Sequence, residues 1–197
     1  MAELNDTLFL ALNASAEAPW LVVAFAVFAA KYLTFLVPVL LAALWVWGDW
    51  FRRSVVLTCL MALLLALAVN QAVGLLAYSP RPFLIGLGRT LIEHRPSSSF
   101  PSNHGTVWFT VAAVFMAFGR WRLAGAMACL GLVVAWSRIY LGVHFPLDML
   151  GAAGSAALAT PVAIWAMSRT GERLLDLAEG VYRLVFGPLI RRGLARN

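Results

Sequence analysis

Five long apolar segments most constrain how this chain can fold. A helix needs about 20 mostly apolar residues to cross a bilayer. Segments of about that length occupy roughly residues 20–47, 54–78, 102–120, 122–141 and 145–167. Hydrophobic residues make up 62% of the chain and charged residues 12%, which is unlike a soluble globular domain. The sequence therefore predicts an all-α, polytopic membrane bundle with about five spanning helices.

The two ends of the chain are predicted to lie at the membrane surface. Residues 5–14 are too few to span, so they predict a short interfacial helix ahead of the first span. In residues 168–197, apolar side chains recur at helical spacing from Leu174 to Val185, with charged residues opposite. This pattern predicts a C-terminal amphipathic helix. Since no linker-like segment divides the sequence, we expect one domain over residues 1–197.

Arginines collect at one set of span ends. They occur at 52–53, at 120–122 and from Arg169 to the end of the chain. The positive-inside rule makes these ends cytoplasmic, so we expect the C-terminus inside and the loop of about 79–101 outside. The net charge of +6 comes almost wholly from arginine, and most of the arginines lie at these span ends. Their placement indicates topology and phosphate binding, and argues against a nucleic-acid partner.

Six polar residues are predicted to meet at the external ends of the spans. One charged residue at a helix end is commonly an interfacial anchor, but several that converge from four helix ends indicate a site. They are Arg81 after span two, Ser102 and His104 at the start of span three, Arg138 at the end of span four, and His144 and Asp148 at the start of span five.

The residue types at this end favour a phosphate group as ligand. Ser102 and Asn103 precede an apolar run, where Ser102 can cap a helix whose free N–H groups attract anions. Arg81 and Arg138 add planar guanidinium groups that match phosphate oxygens. The sequence therefore predicts a phosphate site built from a helix N-terminus and two arginines.

His144 and Asp148 have the spacing of a nucleophile and its supporting carboxylate. Residues four apart lie on one helix face, and Pro146 suits the first turn of such a helix. The carboxylate can fix the imidazole tautomer and stabilise developing positive charge. A neutral, oriented imidazole is a competent nucleophile toward phosphorus.

Three short motifs carry a family resemblance. Arg81-Pro82, Pro101-Ser102-Asn103-His104, and Ser137-Arg138 followed by His144 and Asp148 occur in this order, each at a helix end. Together they resemble the signature of the type 2 phosphatidic acid phosphatase superfamily, over about residues 20–167.

The resemblance implies a role for each motif residue. His104 would be the general acid, His144 the nucleophile, and Asp148 the residue that orients it. Arg81, Ser102 and Arg138 would bind the phosphoryl group, without a metal or any other cofactor.

One family residue is missing from the first motif. The family has a lysine seven residues before its arginine, and here that position is Gly74. Lys31, in the first apolar segment, could supply the missing phosphate-binding cation, or it could be an interfacial anchor. Asn70 and Gln71 are expected chiefly to link helices.

Within the superfamily, Ser79–Phe83 and Ser99–His104 in so short a chain are most similar to bacterial undecaprenyl pyrophosphate phosphatases of the bacitracin-resistance type. The resemblance implies removal of the terminal phosphate from a polyprenyl carrier at the external face. The loop 83–100 is predicted to form a lid at the lipid surface. His94 within it is predicted to be a solvated loop residue.

Other functions are compatible with the same residues. The enzyme could be a phosphatase or phosphotransferase that acts on phosphatidylglycerol phosphate, phosphatidate or lipid A, because the motifs do not select the lipid. A proton-coupled transporter is a more distant alternative, since its polar residues would lie near the midplane of pseudo-repeated halves. In each case the partners are membrane lipids, and the oligomeric state is not predicted.

Overall fold

The computed structural model describes residues 2–196, and every regular element in that range is a helix. Seven α-helices follow in chain order: α1 Ala2–Leu12, α2 Trp20–Tyr32, α3 Leu36–Val46, α4 Trp50–Leu76, α5 Asn103–Ala117, α6 Trp121–Tyr140 and α7 Pro146–Arg191. Short 3₁₀ turns occupy Leu33–Phe35 and Pro82–Ile85. The predicted all-α bundle is confirmed.

The first predicted span consists of two helices joined by a tight turn. The turn Leu33–Phe35 connects α2 to α3, so that Trp20–Val46 continues as one apolar segment. Pro38 lies in the first turn of α3, and it cannot donate the backbone hydrogen bond that a continuous helix would require. The tighter turn just before Pro38 accommodates this loss.

Four segments are long and apolar enough to cross a membrane: Trp20–Val46, α4, α6 and α7. The remaining predicted span, α5, has only 15 residues and ends earlier than residue 120, because Gly119 adopts the left-handed conformation with φ of 68°. It lies among α4, α6 and α7, and its Trp108, Val111 and Val114 are fully buried. The helix α5, the shortest of the five predicted spans, therefore lies at the centre of the bundle.

The C-terminal amphipathic segment is not a separate helix. The sequence predicted a break near residue 168, whereas α7 continues without interruption for 46 residues. The predicted apolar residues Leu174, Leu177, Val181 and Val185 lie exposed along one side of the helix, whereas Leu175 and Tyr182 pack against the bundle. Gly171 adopts helical geometry, so nothing ends the helix before that face begins. The amphipathic pattern is confirmed and the predicted boundary is wrong.

A buried arginine joins the far end of α7 to the first two spans. Arg53 in α4 pairs with Glu179 of α7 at 3.0 Å and donates to the carbonyl oxygens of Trp45 at 3.1 Å and Arg196 at 2.8 Å. Its guanidinium carbon lies 4.8 Å from the ring centroid of Tyr182. These contacts fix residues after α7 against α3.

The predicted N-terminal helix is present as α1 and packs beside the loops at the opposite end. Phe9 is fully buried, with its ring centroid 5.3 Å from that of Phe145. Asn13 donates to the carbonyl oxygens of Arg89 and Tyr140. The helix α1 therefore supports the loops that surround the polar residues described next.

Candidate active site

The predicted site residues gather where α4, α5, α6 and α7 meet the loop 77–102. A polar cavity of about 340 Å³ opens at this place. Its polar lining includes Asn70, Gln71, Arg81, His94, Asn103, His104 and His144. The structure thus brings residues from three separate sequence motifs into one small space.

His144 and Asp148 form a buried pair at the start of α7. The Nδ1 atom of His144 lies 2.9 Å from Oδ2 of Asp148, and both residues are almost completely buried. The same carboxylate oxygen accepts the backbone N–H of Phe145 at 2.8 Å, which caps the helix. Because a carboxylate only accepts, Nδ1 carries the proton and Nε2 carries the lone pair.

Arg81 holds the other nitrogen of the same imidazole. Its Nη1 atom lies 3.0 Å from Nε2 of His144 and donates to the carbonyl oxygen of Val143 at 2.8 Å. Further bonds to the carbonyl oxygens of Ser97 and Ser98 fix the guanidinium. Burial lowers the pKa of Arg81, and the charge of Asp148 opposes that shift. An anion that reaches Nε2 of His144 therefore also contacts the guanidinium group of Arg81.

The environment of His144 keeps its ring neutral. Burial lowers the pKa of His144 to about 4, against the opposing hydrogen bond and charge of Asp148. The charges of Arg81 and Arg138 contribute to this lowered pKa. At neutral pH Nε2 therefore carries a lone pair, which can attack an electrophile once Arg81 moves from it.

Arg138 brings hydrogen-bond donors that the described protein does not satisfy. It is 4% exposed, and within residues 2–196 its Nε and Nη2 atoms are buried without a partner. Leaving a buried charged donor unpaired is costly. An anion such as phosphate would satisfy both donors, which agrees with the predicted role of Arg138.

The N-terminus of α5 carries three more predicted residues. Ser102 accepts the backbone N–H of Gly105 at 3.4 Å, so the predicted N-cap is present. Its own N–H donates to the carbonyl oxygen of Asp148, which joins α5 to α7. Asn103 and His104 line the cavity, whereas the Ser102 side chain is fully buried.

Asn70 links two helices, as the sequence predicted. Its Nδ2 atom donates to Oδ1 of Asn103 at 2.9 Å and to Oγ1 of Thr106 at 2.8 Å, which joins α4 to α5. Gln71 and Gly74 line the cavity one turn further along α4. A Cβ atom at Gly74 would lie 3.2 Å from Cβ of Ser98, so the position that is lysine in the family faces the site here with little room.

Sequence reasoning missed two residues at this site. Ser99 is fully buried, and its hydroxyl donates to Oδ2 of Asp148 at 2.5 Å. His94 is not a free solvated residue, because it is half-buried and lines the cavity beside His104 and His144. Neither has a helical spacing that would reveal its position. Ser99 begins the segment Ser99–His104 that carries the resemblance, but no role was predicted for it, and His94 lies in the loop between two motifs.

An apolar groove of about 860 Å³ adjoins the cavity. It runs between α2–α3 and α4, and it is lined by residues from Lys31 near one end to Tyr182 and Phe186 near the other. His104 lines the groove as well as the cavity. Lys31 is exposed in the last turn of α2 and lines the groove rather than the cavity. Its role as a phosphate ligand stays a prediction.

The fold and the site define the class of protein as a membrane-embedded phosphatase. Spanning helices present a neutral histidine, a supporting carboxylate and two arginines at one end of a bundle. The chain belongs to the PAP2 superfamily, whose family model matches residues 55–172. That range contains every predicted site residue except Lys31.

Sequence relatives match this chain over most or all of its length. The chain is 38% identical to a protein of Escherichia coli (strain K12) named "Putative undecaprenyl-diphosphatase YbjG", with all of both chains covered. It is 28% identical to undecaprenyl-diphosphatase BcrC of Bacillus subtilis (strain 168), over 87% of this chain and 88% of the relative. The crystal structure of Aquifex aeolicus LpxE superimposes with a TM-score of 0.64 at 27% identity, covering 82% of this chain and 94% of the other.

Proposed function

We propose that this chain hydrolyses undecaprenyl pyrophosphate to undecaprenyl phosphate and inorganic phosphate. The observation that carries the proposal is the position of His104, which lines both the polar cavity and the apolar groove. A ligand that occupies both spaces has a phosphate head and a long hydrocarbon tail. The relatives from Escherichia coli and Bacillus subtilis are named for this substrate.

In the first step, Nε2 of His144 attacks the terminal phosphorus. The bond to the bridging oxygen breaks, and undecaprenyl phosphate leaves with the electron pair and, where needed, a proton from His104. Arg81 turns from Nε2 of His144 toward the phosphoryl oxygens as the substrate enters, and Arg138 offers its unpaired N–H groups. Asp148 stabilises the positive charge that develops on the imidazole.

In the second step, water attacks the phosphohistidine. His104, which gave a proton in the first step, now takes one from water, and the N–P bond breaks to release inorganic phosphate. The hydroxyl that reaches phosphorus comes from water, and the electron pair returns to Nε2 of His144. The enzyme ends with both histidines in their starting protonation states.

We also propose that the cavity faces the outside of the bacterial inner membrane and that the end of α7 is cytoplasmic. The arginines at Arg52, Arg120 and Arg122 lie at the end of the bundle opposite the cavity, which supports this orientation. The whole chain then acts as one catalytic unit, in which α1 supports the external loops.

The substrate is tested by phosphate release from a lipid panel in detergent micelles. Undecaprenyl pyrophosphate is expected to be turned over with a higher kcat/KM than phosphatidate, phosphatidylglycerol phosphate or lipid A. A clear preference for one of the other lipids would contradict the proposed substrate and leave the chemistry intact.

The intermediate is tested by trapping it. His104→Ala removes the general base of the second step, which is worth about 10²–10⁴-fold. Given substrate labelled in its terminal phosphate, this variant is expected to retain label on the protein in an acid-labile, base-stable linkage. Gel autoradiography after acid or base treatment measures the label.

Two further variants identify the labelled atom. His104→Ala combined with His144→Ala is expected to carry no label, because the nucleophile is gone. Asp148→Asn in the His104→Ala background is expected to slow labelling, because the imidazole loses control of its tautomer. Label that persists without His144, or that behaves as a phosphoserine or acyl phosphate, would exclude His144 as the nucleophile.

A further inference from the structure

The cavity contains a third histidine to which the proposed mechanism gives no role. His94 lies on the loop before α5, half-buried, and lines the cavity with His104 and His144. Its ring centroid is 6.1 Å from that of His144, and the two rings meet edge to face at 76°. A histidine so close to the nucleophile faces the same ligand.

The hydrogen bonds of His94 determine which of its nitrogens is available. Nδ1 lies 3.0 Å from the carbonyl oxygen of Arg95. A carbonyl oxygen can only accept, so Nδ1 carries the proton of the neutral ring. The lone pair is then on Nε2, and His94 offers the cavity an acceptor.

The groups around His94 keep it neutral until an anion arrives. Burial lowers the pKa of His94, and the charges of Arg81 and Arg138 lower it further, against the opposing bond to Arg95. The other titratable groups that line the cavity are Tyr78, His104 and His144. Because the two arginines are donors, the Nε2 lone pair of His94 adds an acceptor beside them.

We propose that His94 binds the transferred phosphoryl group by accepting a hydrogen bond from its P–OH. Reacting atoms begin about 3–3.5 Å apart, so a phosphorus placed for attack by His144 carries oxygens toward the neighbouring ring. The proton is shared between the phosphoryl oxygen and Nε2, and no bond to phosphorus forms or breaks. This inference rests on the proposed function only in that the cavity receives a terminal phosphate.

The chemistry of the ligand gives this contact a selective effect. A terminal phosphate loses its second proton with a pKa of about 6, so part of it is protonated near neutral pH. A phosphodiester has no such proton. His94 therefore favours a terminal phosphate over a diester, and it gains positive charge next to the phosphoryl group as the proton shifts toward Nε2.

The test uses the full chain in detergent with inorganic phosphate as the binding probe. His94→Phe keeps an aromatic ring beside His144 without an acceptor, and His94→Gln restores an acceptor that does not titrate. We expect His94→Phe to lower kcat/KM and phosphate affinity about 10–100-fold, the effect of one hydrogen bond to a charged group. His94→Gln is expected to recover part of both.

The pH dependence separates this role from a purely structural one. In the wild type, phosphate affinity is expected to fall as pH rises above the pKa of the phosphate, since the shared proton is lost. In His94→Phe this dependence is expected to flatten. Glu93→Gln, a change at the adjacent exposed position, is the matched control and should leave both quantities unchanged.

The outcomes distinguish this inference from the proposed function. Equal phosphate affinity and equal pH dependence in the wild type and His94→Phe would overturn the role of His94, as would a wild type that binds no phosphate. A wild type that binds phosphate through His94 but releases none from undecaprenyl pyrophosphate would contradict the substrate and support the His94 contact.

Discussion

At the scale of single residues, one carboxylate oxygen organises the nucleophile. Oδ2 of Asp148 accepts from Ser99, from Nδ1 of His144 and from the backbone N–H of Phe145. The backbone bond fixes the carboxylate to the start of α7, and the serine fixes it to the loop before α5. The imidazole is thus aligned by two elements rather than one.

Ser99 is expected to be a positioning residue. Ser99→Ala removes a hydrogen bond to a charged group, worth about 1.5–3 kcal/mol, so kcat should fall roughly 10–100-fold with KM little changed. The freed carboxylate attracts the proton on His144 more strongly, so the acid limb of the pH profile should move upward. Steady-state kinetics across pH measure both effects.

The matched control for this change is Ser155→Ala. Ser155 lies in α7 and, like Ser99, is a buried serine, but its hydroxyl makes no hydrogen bond to Asp148. It should leave kcat and the pH profile unchanged. A Ser99→Ala enzyme that lost folded protein in proportion to activity, with the wild-type pH profile, would contradict a positioning role.

The pH dependence of the first step is expected to reflect the burial of His144. Its pKa is lowered from 6.5 to about 4, so the folded protein disfavours the proton and the nucleophile stays neutral through mildly acidic pH. Labelling of the His104→Ala variant should therefore persist below pH 6.5 and fail only as pH drops toward 4. A labelling rate that halves at pH 6.5 or above would contradict this. Rapid-quench labelling at saturating substrate measures it.

The site residues that could be predicted from sequence are those with the four-residue spacing of one helix face or those at the end of a predicted helix. The four-residue step from His144 to Asp148 and the N-cap at Ser102 were both visible before the fold was known. The contacts of Ser99 and His94 were not, because they depend on how an irregular loop folds back over the bundle. Loop conformation depends on tertiary contacts, which no periodic pattern in the local sequence reveals.

At the scale of elements, close helix contact at glycine positions decides how α5 is held. A Cβ atom at Gly131 of α6 would lie 2.8 Å from Cβ of Trp108 in α5, whereas one at Gly125 of the same helix would meet nothing within 4 Å. Helices that approach this closely tolerate only small residues at the contact.

Gly131→Ala is expected to destabilise the protein by about 1–3 kcal/mol, since Cβ of Trp108 is close to the backbone and cannot move aside. Gly125→Ala should be neutral or stabilising by up to about 1 kcal/mol, because alanine has the higher helix propensity. Thermal unfolding in one detergent measures both. Equal melting temperatures for the two variants would show that α5 and α6 are not in such close contact.

Helix existence could be predicted from sequence better than helix ends. The apolar segments and the amphipathic face of α7 followed from composition and period. The continuity of α7 past residue 168 did not, because Gly171 is a weak stop signal whose effect depends on what packs beyond it. Burial of Leu175 and Tyr182 stabilises the extension.

At the scale of the whole molecule, the orientation of the bundle has a direct test. A reporter fused after Arg122 is expected to be cytoplasmic, and one inserted near Arg89 is expected to be external, because the arginine-rich ends stay inside. A paired reporter that is active only on one side of the membrane measures each location. Reversed locations would place the cavity on the cytoplasmic side.

The shortness of α5 leads us to expect that the chemistry takes place below the membrane surface. Fifteen residues extend about 22 Å, whereas the hydrocarbon core is about 30 Å thick. With its far end at one interface, α5 is expected to begin below the other, and His104 with it. A pyrophosphate attached directly to the hydrocarbon chain of a lipid reaches that depth when the lipid moves slightly deeper into the bilayer. A phosphate held above the surface on a sugar would have to be drawn down, at the cost of dehydrating the sugar.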